Sequence, residues 1–117
     1  MWMVVQARRF FRDLTIAVEY IHNAGVIHKD IKPANCLITS QYRLKVCDFG
    51  VAEEKKKVDA GIRREGGVNA VGTPAFQTPE VASGAQKLPD FTVDIWAMGI
   101  TLYFMTCAEV GLMLQSR

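Results

Sequence analysis

The stretch His28-Lys29-Asp30-Ile31-Lys32-Pro33-Ala34-Asn35, with Asp48-Phe49-Gly50 following eighteen positions after Asp30, decides how the rest of this chain is read. It gathers the groups that phosphoryl transfer needs. A migrating phosphoryl passes through a loose transition state, so a protein mainly positions the reactants and neutralises charge. Asp30 is a carboxylate able to accept the proton of an attacking hydroxyl. Lys32, two residues on, can place a positive charge beside the phosphoryl. Asn35 and Asp48 are hard oxygen donors of the kind Mg²⁺ prefers, with nucleotide phosphates and water completing its shell. Pro33 fixes its φ and is expected to keep the stretch out of helix, and Gly50 is expected to permit a turn that aims Asp48 inward.

Upstream, Phe10, Leu14, Ala17, Val18 and Ile21 recur at helical spacing, with Arg8, Arg12, Asp13 and Glu19 largely between them. This predicts an amphipathic helix over Gln6 to Ala24, ended by a left-handed Gly25 and feeding the quoted stretch. Downstream, Cys36-Leu37-Ile38 and Leu44-Lys45-Val46-Cys47 flank the polar Thr39 to Arg43 and read as a short hairpin that holds Asn35 and Asp48 on adjacent strands. Residues Val51 to Thr78 show no sustained period and read as one long functional loop. In it, Lys55-Lys56-Lys57 reads as a solvated edge whose charge is nearly cancelled by Glu53, Glu54 and Asp59. From Thr92 to Ala108 the chain is apolar on every face, with Asp94 the only charge, which predicts a helix buried in protein. Its about fifteen apolar positions fall short of the roughly twenty that span a bilayer.

Composition excludes several classes. A net charge of +2 and a pI near 8.5 are too mild for a nucleic-acid or membrane-surface footprint. Cys36, Cys47 and Cys107 contain no CxxC pair and read as inert buried thiols in a reducing cytosol, or also a nucleus. The opening MWMVVQARR is too short an apolar run for a secretory signal.

HKDIKPANCLI, CDFGVAE, GTPAFQTPE and VDIWAMGITLY resemble, in order, the catalytic loop, metal-binding turn, substrate-docking segment and central helix of eukaryotic protein kinases. GVAE, PAFQTPE and VDIWAMGITLY are most similar to the liver kinase B group of serine/threonine kinases. The resemblance implies an α+β fold, the lower lobe of a kinase, mainly α-helical with a short β-hairpin. It implies ATP and Mg²⁺, or Mn²⁺, as cofactors, with Asp30 as proton acceptor, Lys32 as phosphate contact, Asn35 and Asp48 as metal ligands and Leu37 packing on adenine. Thr73 would hydrogen-bond Asp30 and Lys32, His28 and Phe49 would stack in a hydrophobic spine, and Asp94 would tie the catalytic-loop backbone to the central helix. Implied partners are a protein substrate, other kinases among them, together with a pseudokinase and an armadillo-like scaffold; no nucleic acid and no membrane are implied.

The departures are equally specific. No glycine-rich nucleotide loop, VAIK-like lysine or partner glutamate precedes the match, so residues 1–117 read as a partial kinase domain lacking the upper lobe and the late helices. TPE replaces APE, DFG stands where liver kinase B proteins tend to have leucine in the middle, and the late-helix arginine that would pair with Glu80 is missing. Two functions compete: a serine/threonine kinase seen in part, and a truncated, catalytically inactive docking module. A small membrane protein would leave HKDIKPAN unexplained.

Overall fold

The computed structural model describes residues 2–63 and 74–106, with side chains from Val4 onward and excluding that of Pro74. Helix α1 runs Trp2–Asn23, four residues earlier than its periodicity indicates. Ala7, Phe10, Leu14, Val18 and Ile21 form its buried stripe, and Leu14 is fully buried. Ala17 lies at the margin of that stripe, half-buried. Gly25 ends the helix at φ 80°, its N–H donating to His22 O at 2.9 Å, a conformation that a Cβ would strain.

Downstream of α1 the described elements include helices α2 (Lys55–Asp59), α3 (Pro79–Ala82) and α4 (Thr92–Met105). Helix α4 crosses α1, and a single core joins the two to Ile31, Cys36 and Leu44. Its buried positions are Asp94, Ala97, Met98, Thr101 and Met105. The all-round burial expected of this helix is not what the described residues provide, since Ile95, Trp96 and Tyr103 face outward, Tyr103 at 66% exposure. Ala108 lies outside the described residues. Among them no helix is long and apolar enough to cross a membrane.

The predicted hairpin forms from β2, Cys36–Ile38, and β3, Leu44–Val46, in the register Cys36↔Val46, Leu37↔Lys45, Ile38↔Leu44. Thr39 closes its turn by accepting from the N–H groups of Gln41 and Arg43. Asp13 of α1 accepts two bonds from the Arg43 guanidinium at 2.9 and 3.0 Å and one from Leu44 N–H at 2.9 Å, clamping helix to hairpin. The Arg43 hydrogen bonds hold the Asp13 carboxyl below its ordinary range, with Leu44 N–H helping and burial opposing. A carboxyl lowered in the folded state stabilises the fold above its unfolded value of about 3.9, and that contribution fades as pH falls through the lower folded value. Acid titration of the urea midpoint is therefore expected to show a component below about pH 4 that Asp13→Asn removes. An unchanged acid limb in the variant would refute the clamp.

A second antiparallel ladder, unmarked by any sequence pattern, pairs β1, Val26–Ile27, with β4, Glu53–Glu54. Lys55 N–H extends it by donating to Gly25 O at 2.8 Å. The α+β, mainly helical expectation thus holds, with one more ladder than expected. The stretch Val51 to Thr78 is not a plain loop: it carries β4, the short helix α2, a 3-10 turn at Pro74–Phe76 and the Thr78 cap of α3. Val58 explains α2, since its burial gives the lysine-rich turn an inward face. Lys56 and Lys57 are exposed as expected, whereas Lys55 pairs with Asp59 and Asp90 and Glu53 is buried.

Candidate active site

The β1 strand delivers His28 into the core, fully buried, where its imidazole bonds to two separate segments and packs on a third group. Asp30 N–H donates to His28 Nδ1 at 3.0 Å, which makes Nδ1 the acceptor and Nε2 the protonated nitrogen, donating to Cys47 O at 3.0 Å. One imidazole thereby ties the segment holding Asp30 to the segment holding Asp48. The His28 and Phe49 rings meet edge to face at 4.8 Å and 60°, a contact with the geometry aromatic pairs prefer over the expected stack.

Asp94 supplies the second anchor. Its carboxylate, 1% exposed, accepts His28 N–H at Oδ2 (2.8 Å) and Lys29 N–H at Oδ1 (2.9 Å). The tie between α4 and the loop backbone read from the sequence is therefore present. His22, at the end of α1, adds a bond to Oδ2 at 2.8 Å and lies 4.7 Å from the Phe91 ring. No sequence signal singles out His22. Lys29 sits at φ 76°, a region that side chains with a Cβ occupy only where surroundings hold them. Two consecutive amides on one carboxylate do that here.

Beyond Lys29 the chain anchors Ile31 in the core and turns through a 3-10 segment at Pro33–Asn35. Pro33 starts this turn rather than excluding helical geometry, because its missing N–H costs nothing at the first position. The turn folds Asn35 back: Nδ2 donates to Asp30 O at 2.8 Å and to Asp30 Oδ2 at 3.2 Å. Lys32 Nζ lies 3.7 Å from the same Oδ2. Asp30, Lys32 and Asn35 thus converge, and Asp30 keeps some solvent exposure, as a group that meets substrate must.

Asn35 and Asp48 lie just outside the ends of β2 and β3 rather than on them, and Cys47 N–H donating to Asn35 O at 2.9 Å continues the ladder to their level. Asp48, not Gly50, takes the left-handed conformation at φ 60°. Its Oδ1 accepts Gly50 N–H at 3.0 Å, and a Cβ on residue 50 would lie 2.9 Å from that oxygen. Gly50 is required for close approach, which corrects the expectation that it permits the turn. Leu37 is exposed on β2, Thr73 lies outside the described residues, and Glu80 is exposed on α3.

No three His, Cys, Asp or Glu side chains cluster as a metal site among the described residues. The donor set still suits Mg²⁺, which binds through one or two protein oxygens plus phosphates and water: the outward Asp48 carboxylate and the amide oxygen that Asn35 keeps when Nδ2 turns to Asp30. Burial, with the neighbouring Cys47 thiol, pushes the Cys36 thiol up to about 12, which makes it an inert core residue. Cys107 lies outside the described residues.

Residues 4–116 match the protein kinase domain family. The serine/threonine-protein kinase STK11 of Rattus norvegicus is 46% identical over 105 residues, covering 88% of this chain and 23% of that protein. STK11 of Homo sapiens is 44% identical over 103 residues, with the same coverage. The serine/threonine-protein kinase ppk34 of Schizosaccharomyces pombe is 46% identical over 103 residues, covering 87% of this chain and 27% of its own. Among solved structures, a chain of the yeast RNA Pol II CTD kinase CTDK-1 complex superposes with a TM-score of 0.72 at 31% identity, covering 86% of this chain and 31% of that one. The chain spans about a quarter of the length of these curated relatives. It belongs to the protein kinase domain family and is homologous there to the STK11 serine/threonine kinases, the liver kinase B group.

Proposed function

We propose that these residues are the catalytic-loop half of a serine/threonine protein kinase that transfers the ATP γ-phosphate to protein hydroxyls, and that the 117 residues alone act as a catalytically inactive, kinase-like docking module. The observation that supports the catalytic half is the meeting of Asn35 Nδ2 and Lys32 Nζ at one oxygen of Asp30. Asp30 accepts the substrate hydroxyl's proton as the hydroxyl oxygen bonds to phosphorus and the bond to the β-phosphate oxygen breaks. Asn35 orients the carboxylate, and Lys32 places a cation beside the transferred group. Asn35 and Asp48 would hold Mg²⁺, which when bound with ATP neutralises phosphate charge. Leu37 would lie against adenine, and Thr73 would bond to Asp30 and Lys32.

The docking reading for the chain alone is favoured by its outward apolar side chains. Ile95, Trp96 and Tyr103 on α4 are the kind of exposed apolar groups that mark an interaction surface. Protein partners, including the pseudokinase and scaffold implied by the sequence resemblance, belong to this proposal. Purified 117-residue chain incubated with Mg²⁺ and labelled ATP is expected to transfer no phosphate to a protein substrate, because alignment and water exclusion at the γ-phosphate need a second lobe. In excess, it should compete with a complete kinase of this group for that substrate. Steady turnover by the chain alone would overturn the docking reading.

A further inference from the structure

Glu53 reads from the sequence as one more charge on a solvated edge, but it is buried, its side chain 4% exposed. Two cations enclose it. Lys29 Nζ donates to its Oε2 at 2.5 Å, and Arg63 reaches both oxygens through Nε and Nη2, each at 2.9 Å. The three come from different places: Lys29 from the catalytic loop beside Asp30, Glu53 from β4, and Arg63 from beyond α2. The β1–β4 ladder sets Glu53 opposite Ile27, two residues before Lys29, so the pairing is built into the sheet register. The fork on Glu53 is bidentate, the geometry in which a guanidinium binds a carboxylate most specifically. It raises the Arg63 guanidinium further above its ordinary range.

A buried carboxylate costs heavily unless it is paired and hydrogen-bonded. Retaining one at this position requires that it do something a neutral residue would not. Lys29 is held at φ 76° by Asp94 on its amide, and Glu53 holds its other end, so the residue before Asp30 is pinned at both backbone and side chain. The stretch from Val51 to Gly72 contains no Ser, Thr or Tyr, so it offers no hydroxyl to which a phosphate could be attached. A dianionic phosphate orders a segment by gathering cations from separate elements. The Glu53 carboxylate gathers a lysine and an arginine in the same way.

We propose that Glu53 and Arg63 are positioning residues: a permanent internal anion and its clamp, which lock the segment after Asp48 onto Lys29 and hold the catalytic loop in its working geometry without added phosphate. This rests on the kinase reading for its catalytic consequence, though not for the lock itself. The sequence alone suggests that Lys29 awaits an external ordering agent, whereas its amine is already engaged by the chain's own carboxylate.

The test has two arms. In the first, hydrogen–deuterium exchange is measured on the 117-residue chain and on Glu53→Gln, which keeps the shape and removes the charge. Exchange in peptides covering Lys29 to Ile31 and Glu53 to Arg63 is expected to rise at least tenfold, with the α1 peptide around Leu14 unchanged. Equal exchange at both sites in a folded variant overturns the lock. Should Glu53→Gln unfold, Arg63→Met, which spares the Lys29 bond, is measured instead: faster exchange at Glu53 to Arg63 supports the lock, and no change refutes it. In the second arm the longer kinase carrying this chain is assayed. Arg63→Met is expected to lower kcat at least fivefold with the ATP KM held, Arg63→Lys to restore part of it, and phosphatase treatment of the unsubstituted enzyme to change nothing. A large loss on phosphatase treatment, or an unchanged kcat in Arg63→Met, overturns the positioning role. Absence of activity in the unsubstituted enzyme would count against the kinase reading, while the exchange arm would still decide the lock.

Discussion

Asp30→Asn, introduced into this chain joined to a nucleotide-binding lobe, is expected to lower kcat by about a thousandfold, within the range of about 10²- to 10⁴-fold that a positioned base contributes. Nucleotide affinity should change little. The asparagine keeps the side-chain shape near Asn35 Nδ2 and Lys32 Nζ but cannot take the hydroxyl's proton, so the loss falls on the chemical step. Asp48→Asn should behave differently, because Asp48 faces outward at the end of β3, away from the Asp30 cluster's hydrogen bonds. It is expected to weaken Mg²⁺-dependent nucleotide binding as well as rate. Pre-steady-state kinetics with titrated Mg²⁺ separates the two, and equal effects on affinity would show the division between base and metal ligand to be wrong.

The second large effect lies at Asp94, which acts through the backbone. Replacing it by alanine strands the N–H groups of His28 and Lys29 in a site from which water is nearly excluded. Each orphaned amide costs about 1–3 kcal/mol, so Asp94→Ala is expected to lose about 2–6 kcal/mol. That is a large part of the roughly 5–15 kcal/mol that holds a domain folded. Asp94→Asn keeps one acceptor oxygen and should lose less. Urea midpoints for the three proteins test this order, and an alanine variant as stable as its parent would show that the loop is held by something other than α4.

The division between what can be read in the sequence and what cannot tracks the range of the interactions. Asp30, Lys32 and Asn35 lie within six residues and are brought together by one local turn, so their spacing already states their geometry. Asp94 is legible for another reason, since a lone carboxylate in an apolar helix must find donors. Glu53 is not, because its partners stand 24 and 10 residues away in sequence, and among EEKKK its charge looks cancelled locally. The β1–β4 ladder leaves no trace because two-residue strands show no alternation. His22 stands on a helix end, where a histidine satisfies many ordinary roles. Gly50 reads as a residue of permissive φ, whereas its actual requirement, the absence of a Cβ near Asp48 Oδ1, is visible only once the aspartate has turned left-handed.

The central claim is that this chain's catalytic loop moves phosphoryl groups to serine and threonine hydroxyls when a nucleotide-binding lobe is supplied. It is tested most directly by joining the chain to such a lobe, incubating with γ-labelled ATP, Mg²⁺ and a mixed protein substrate, and separating the phosphoamino acids. Label on phosphoserine and phosphothreonine, abolished by Asp30→Asn in a protein that still binds nucleotide, is the predicted result. A folded, nucleotide-binding fusion that transfers no label, or transfers it equally well without Asp30, would contradict the account.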